Sequence, residues 1–169
     1  MPLVLEDGTG VVGANSYASV ADADAFFADR NISDWAGPGA TTPDKEGFLI
    51  QGADYLNSFY VPRGEFLVDD QGMLLPTDVY GYVPLAFKQA QILLAREAAV
   101  NGPLGSTFGE SLVTYSREQL QGVGETETHY EVSSTKADQT GKTGSIIDAM
   151  LSRYIHKPGW IEQARVLRG

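Results

Sequence analysis

The chain contains no cysteine, which removes disulfides, thiolate metal sites and cysteine nucleophiles together. Histidine is almost as scarce: with only His129 and His156, a two-histidine metal site or a serine-histidine triad would need a coincidence of folding. Neither a G-x-S-x-G elbow nor a P-loop occurs. Long apolar runs are missing too, since nothing approaches the roughly 18 to 20 consecutive apolar residues of a membrane span. The opening MPLVLEDGTG is acidic where an export signal is basic, so a soluble, non-exported protein without a membrane partner is expected. Positive charge is in short supply: 12 Lys/Arg face 22 Asp/Glu, for a net charge of −10. Nucleic-acid affinity comes from cations that neutralise several phosphates at once, so an acidic chain starts at a disadvantage there.

What is present is ordinary globular composition, 43% apolar and 20% charged, over 169 residues, enough for one core. The charge is unevenly spread. Residues 1–83 hold 13 acids against 3 cations, whereas from Thr143 to Gly169 four cations (Arg153, Lys157, Arg165, Arg168) face two acids (Asp148, Glu162). A basic end on an acidic body suggests docking against something acidic, such as a neighbouring copy.

Helical periodicity dominates. Ser19-x-x-Asp22 is a capping pattern, and Val20, Ala23 and Phe27 form an apolar stripe for a helix running to about Arg30, with Asn31 as its stop. Thr42 and Pro43 read as N-cap and first position of a second helix, ending near Tyr60, whose stripe is Leu49, Ala53, Leu56 and Tyr60. Residues 61–82 carry Pro62, Gly64, Gly72, Pro76 and Gly81 and read as a structured loop, with a possible short hairpin about Asp70 to Gly72. Pro84 then opens LAFKQAQILLAREAAV, a run of strong helix formers with Phe87, Ala90, Leu94 and Ala98 on its apolar face. From Ser111 to Ser134, Thr, Val and Tyr enrichment around a Gly-Val-Gly turn predicts a β-hairpin, and its two-sided polarity predicts that it projects from the core. A linker follows, then a last helix from Ser145 to about Tyr154 with Ile147, Leu151 and Tyr154 in register, ended by Lys157, Pro158 and Gly159. The expected fold is mainly α: a bundle of about four helices over 1–155 with a hairpin excursion at 111–134, and an extended C-terminal docking tail at 156–169.

Several motifs are weighed against plainer readings. Gly8, Gly10 and Gly13 fit G-x-G-x-x-G, but the helix cap at Ser19 comes six residues too late for a dinucleotide loop, so a flexible N-terminal arm is expected. Asp22, Asp24 and Asp29, like Asp69 and Asp70, lack the ligand ladder of a calcium loop and read as solvated faces. No catalytic residue, metal ligand or cofactor site is expected, and enzyme is the weakest class. Trp160 is different. It lies beyond the last helix stop with Ile161, Arg165, Val166, Leu167 and Arg168, and it either folds back on the core or anchors a partner; partner docking is preferred, because Trp and Arg are enriched at interface hot spots. Tyr115, Arg117 and Tyr130 are the candidate contact residues of the hairpin.

In order, NSYASVADADAFFADR, Trp35, KEGFLIQGADYLNSFY, VPLAFKQAQILLAREAA, the Gly-Val-Gly hairpin and IIDAMLSRYI resemble the family labelled DnaT-like single-stranded-DNA-binding protein, which is similar to the head-tail adaptor proteins of tailed phages. The resemblance implies a virion protein: a ring of 12 copies between the portal protein and the next tail or stopper protein, assembled in the host cytoplasm, with DNA passing through its lumen without specific binding. The alternative is a replication-associated module for single-stranded DNA, which needs aromatic platforms in a basic groove. Here Tyr115, His129 and Tyr130 are surrounded by Glu118, Glu125, Glu127 and Glu131, so assembly is the favoured expectation.

Overall fold

The computed structural model describes residues 2–104 and 146–156, and the backbone of 116–119 and 125–128. The chain is mainly helical. Four helices are described: α1 (Val20–Ala28), α2 (Thr42–Phe59), α3 (Leu85–Asn101) and α4 (residues 146–151). Strands β1 (Ser116–Gln119) and β2 (Glu125–Thr128) pair antiparallel, Ser116 opposite Thr128 and Gln119 opposite Glu125. The rest of the region expected as a hairpin, and the tail from Lys157 onward, lie outside the described residues.

Helix starts follow from side-chain chemistry. The Ser19 hydroxyl accepts the Asp22 amide at 3.1 Å while the Asp22 carboxylate accepts the Ser19 amide at 2.9 Å, so each residue satisfies a donor that the first turn leaves free. At α2 the cap is Thr41, one residue earlier than the sequence pattern suggests, because Asp44 stands three residues on and accepts both the Thr41 amide and its hydroxyl. Helix α1 stops at Ala28 rather than Arg30, since Asn31 turns the chain into the left-handed region at φ +56°. The expected stripes face inward: Ala23 and Phe27 of α1, Leu49, Ala53 and Leu56 of α2, Phe87, Ala90, Leu94 and Ala98 of α3, and Ile147 and Leu151 of α4 are buried, and Val20 is half-buried.

Helices α2 and α3 make the central pair. They approach so closely at Gly52 that a methyl group there would meet the Gln91 carbonyl oxygen at 2.7 Å, hence a residue without a Cβ. One side of the pair holds Phe27 of α1 stacked on Trp35, their centroids 5.4 Å apart, with Ile92 and Ala95 beneath. The other side holds Leu56, Phe87, Ile147, Leu151 and Tyr154 together with Met73, Leu74 and Leu75 from the segment between α2 and α3.

That segment is ordered without being a helix or a regular hairpin. The chain turns at Asp69 and Asp70, where the Gln71 amide donates to the Val68 carbonyl at 3.1 Å, but in place of a short hairpin ladder there are isolated antiparallel bridges, Phe66 to Thr77 and Gln71 to Val12 of the N-terminal arm. The Gln71 amide group donates to the Met73 and Pro76 carbonyls at 2.7 and 2.9 Å, supplying from a side chain the bonds a ladder would have made. The N-terminal arm is likewise folded rather than flexible. Leu5 bridges parallel to Ser16, and Glu6 and Asn15 amides donate to Ser16 and Val4 carbonyls at 2.8 and 2.9 Å.

Candidate docking surface

The arm's order rests on one buried carboxylate. Glu6 is 2% exposed, and its two oxygens accept the amides of Gly8 (2.8 Å), Gly10 (2.9 Å) and Val11 (2.7 Å). Gly8 and Gly10 reach these positions at φ +101° and +80°, which a side chain would resist. A glycine-rich loop of converging amides is an anion nest. Here the chain fills the nest with its own carboxylate, so the G-x-G-x-x-G pattern serves packing. The sequence offered no signal for Glu6.

A second polar hub lies deeper. Gln91 is fully buried; its oxygen accepts the Tyr17 amide at 2.8 Å, and its nitrogen donates to Ser16 Oγ at 2.7 Å and the Leu49 carbonyl at 2.8 Å. One side chain thereby ties the N-terminal arm, α2 and α3 together. Its position was readable as a polar residue on the Phe87, Leu94, Ala98 stripe. Tyr17 continues the connection by accepting the Leu75 amide at 3.1 Å, and burial pushes its hydroxyl pKa well above the ordinary tyrosine range.

With both arms pinned, their outer sides present apolar groups to water. Leu5, Val12, Phe66, Leu67, Val79 and Tyr82 are each more than two-fifths exposed, as are Phe59, Val61 and Leu85 at the adjoining helix ends. Only two other large apolar residues among the described ones, Val100 and Ile146, are comparably exposed, so the concentration on residues 5–12 and 59–85 marks this as the candidate docking surface. Tyr80, inside the segment, anchors it by donating to the Arg153 carbonyl at 3.1 Å and packing its ring edge on Tyr154. Arg63 adds a bond from Nε to the Ile155 carbonyl at 3.1 Å.

Charge is arranged differently from a phosphate groove. Arg30 bonds the Phe26 carbonyl and covers its ring, Lys45 pairs with Asp24 at 2.7 Å, Arg63 holds Ile155, Arg96 lies 5.9 Å from the Phe27 ring centre, and Arg153 bonds the Tyr154 hydroxyl. Lys88 is near enough to Asp22 to help hold that carboxyl below its usual range, after the larger effect of the Ser19 hydrogen bonds. Each of these six cations, all that the described side chains include, has work inside the chain. Asp24 is exposed, as expected of a solvated face, and it also accepts Trp35 Nε1 and Lys45 Nζ, both at 2.7 Å. Burial raises its pKa, but these two bonds outweigh that and leave it lowered.

Among the described residues no group of three or more histidines and carboxylates is placed to hold a metal ion, and no helix is long and apolar enough to cross a membrane. Of the residues singled out in the sequence, Arg117 lies in β1 opposite Glu127; Tyr115, Tyr130, Trp160, Ile161, Arg165, Val166, Leu167 and Arg168 lie outside the described residues. The exposed apolar surface on 59–85 was missed, because breaker-rich composition says where regular structure stops and not what the segment displays.

Fold and surface together define a small helical protein with two non-helical arms fastened to its bundle. The family described as "Putative DnaT-like ssDNA binding protein" matches residues 1–169, and the chain belongs to that family. No curated protein and no solved structure matches it.

Proposed function

We propose that this protein is a structural assembly subunit, a head-tail adaptor that forms a ring between the portal and the tail of a tailed phage. The observation that carries the reading is the pairing of exposed apolar side chains on pinned arms with the six cations of the described residues, which make contacts within the chain. Such a surface buries well against protein and has little to offer a phosphate backbone. In the ring, about 12 copies would meet by head-to-tail contacts, as heterologous interfaces that close require. The portal and the next tail or stopper protein are the remaining partners, the β1–β2 hairpin and the tail from Lys157 supply contacts to them, and DNA passes an acidic lumen without specific binding. The protein would reside at the neck of the virion and in the host cytoplasm during assembly, with no catalytic role. Electron microscopy of the purified protein with and without its portal tests this: a ring seated on the portal is expected, and a monomer indifferent to the portal refutes it.

The second reading is a module for single-stranded DNA, and the family description speaks for it more directly than for the adaptor. Exposed Phe59, Phe66 and Tyr82 could act as stacking platforms. The two readings separate in a titration of labelled single-stranded DNA at low salt. Sub-micromolar affinity that falls steeply with added salt would replace the adaptor reading with this one, whereas absence of binding is the outcome expected of an adaptor.

A further inference from the structure

The exposed apolar residues of the two arms are carried by one folded layer. Phe66 bridges antiparallel to Thr77, and on that register the Asp78 amide donates to the Glu65 carbonyl at 2.9 Å while the Asp78 carboxylate accepts the Glu65 amide at 2.8 Å. Val79 then lies against Gly64, where an added methyl group would meet its Cγ2 at 2.8 Å. The N-terminal arm joins the same layer: a methyl group at Gly8 would stand 3.7 Å from Tyr82 Cα, one at Gly10 would strike Val68 Cγ2 at 2.8 Å, and Val12 bridges to Gln71. Leu5, Val12, Phe66, Leu67, Val79 and Tyr82 are therefore concentrated on this layer, 42% to 66% exposed, rather than scattered singly.

The charge of the layer has one sign. Residues 59–85 contain Glu65, Asp69, Asp70 and Asp78 against Arg63 alone, and residues 2–12 contain Glu6 and Asp7 with no cation. Glu6 is engaged in its nest and Arg63 with the Ile155 carbonyl. Five exposed carboxylates, Asp7, Glu65, Asp69, Asp70 and Asp78, are thus interleaved with the apolar groups. The same face of a second copy brings the same charge, so pairing two such faces sets like charges against each other. A phosphate backbone meets the same repulsion. What complements the layer is an apolar centre with cations around it.

We propose that this layer is the docking site for a polypeptide segment of a partner protein that presents apolar side chains flanked by lysines or arginines. The proposal rests on the assembly reading and supplies the chemistry of the partner. The layer is set in advance to receive it: the Glu6 nest, the Gln71 side chain and the Tyr80 hydroxyl hold both arms by hydrogen bonds, so little ordering entropy is lost when a segment arrives.

The probe is a fluorescent synthetic peptide, a short run of leucines flanked on both sides by lysines, titrated by anisotropy against the full-length protein. Saturable binding is expected, weaker by about tenfold or more for two control peptides, one with glutamates in place of the lysines and one with serines in place of the leucines. Phe66→Ser should weaken binding by about tenfold or more. The double variant Asp69→Asn, Asp70→Asn should weaken it too and flatten its dependence on salt; both residues are exposed on a turn, so this variant keeps the test decisive if Phe66→Ser fails to fold. Val100→Ser, on α3 and not in the layer, should bind as wild type does. Equal binding of the serine–lysine peptide, or an equal loss in Val100→Ser, overturns the proposal by reducing it to general attraction toward an acidic protein. A dimer in sedimentation that Phe66→Ser dissociates overturns it in favour of a second copy, and labelled single-stranded DNA that binds wild type but not Phe66→Ser overturns it in favour of nucleic acid. The portal takes no part in these titrations, so the adaptor reading, tested by the ring, stands or falls separately.

Discussion

At the scale of single residues, polar side chains inside the core carry more of the architecture than their number suggests. Replacing Gln91 with Leu keeps the volume but leaves the buried Tyr17 amide without an acceptor and Ser16 and Leu49 without their donor. Unsatisfied buried groups cost about 1–3 kcal/mol each, so a loss of about 3 kcal/mol or more in urea unfolding is expected. Gly52→Ala should cost about 1–3 kcal/mol by overpacking, because the obstructing atoms are α3 backbone and Cβ rather than a movable side-chain end. Glu6→Gln replaces one accepting oxygen with a donor group aimed at amide hydrogens. Faster hydrogen exchange at Gly8, Gly10 and Val11 is the expected readout, and unchanged exchange would show that the nest holds without the carboxylate.

At the scale of elements, sequence and structure agree wherever periodicity and capping act locally. The stripes of α1, α2 and α3 and the Ile147, Leu151, Tyr154 register were legible because a helix buries residues at fixed spacing whatever it packs against. The Thr41 cap was off by one because Thr41 and Thr42 are chemically alike and only the distance to Asp44 tells them apart. The folded N-terminal arm and the apolar display of 61–82 were not legible: both depend on partners such as Val12 and Gln71 that periodicity cannot connect. Removing the Ser19 cap with Ala should cost about 1 kcal/mol, read as a lower urea midpoint. The two-sided polarity of the hairpin sequence predicts that it adds little to the core, so deleting Ser116 to Thr126 is expected to leave thermal unfolding of the bundle nearly unchanged. A collapse of the bundle on deletion would make the hairpin part of the core.

For the whole molecule, stability should fall at both extremes of pH, for separate reasons. Asp22, Asp24 and Asp44 have folded pKa values below the ordinary aspartate value of 3.8, so their contribution is complete above that pH and is lost as pH drops through the lowered values. Tyr17 and Tyr60 shift the other way; burial raises both, and the Asp148 carboxylate raises Tyr60 further. Their contribution is complete below the ordinary tyrosine value of 10.0 and declines above it, where the unfolded chain ionises first. Unfolding curves across pH should therefore show an alkaline decline beginning near 10, weakened in Tyr60→Phe once its lower baseline stability is allowed for.

The connection through Gln91 also imposes an order on synthesis. Tyr17 is bonded to a side chain 74 residues further along, and its hydroxyl to Leu75, 58 residues along. A ribosome adding about 5–20 residues per second needs about 4 to 15 s to cover the longer gap. Throughout that interval the N-terminal arm has emerged, or is emerging, with no seat. It can fill its nest with Glu6, a contact spanning at most five positions, and so be shaped before the bundle exists to receive it. The arm is then a piece prefabricated early in translation, waiting for α3 to leave the exit tunnel.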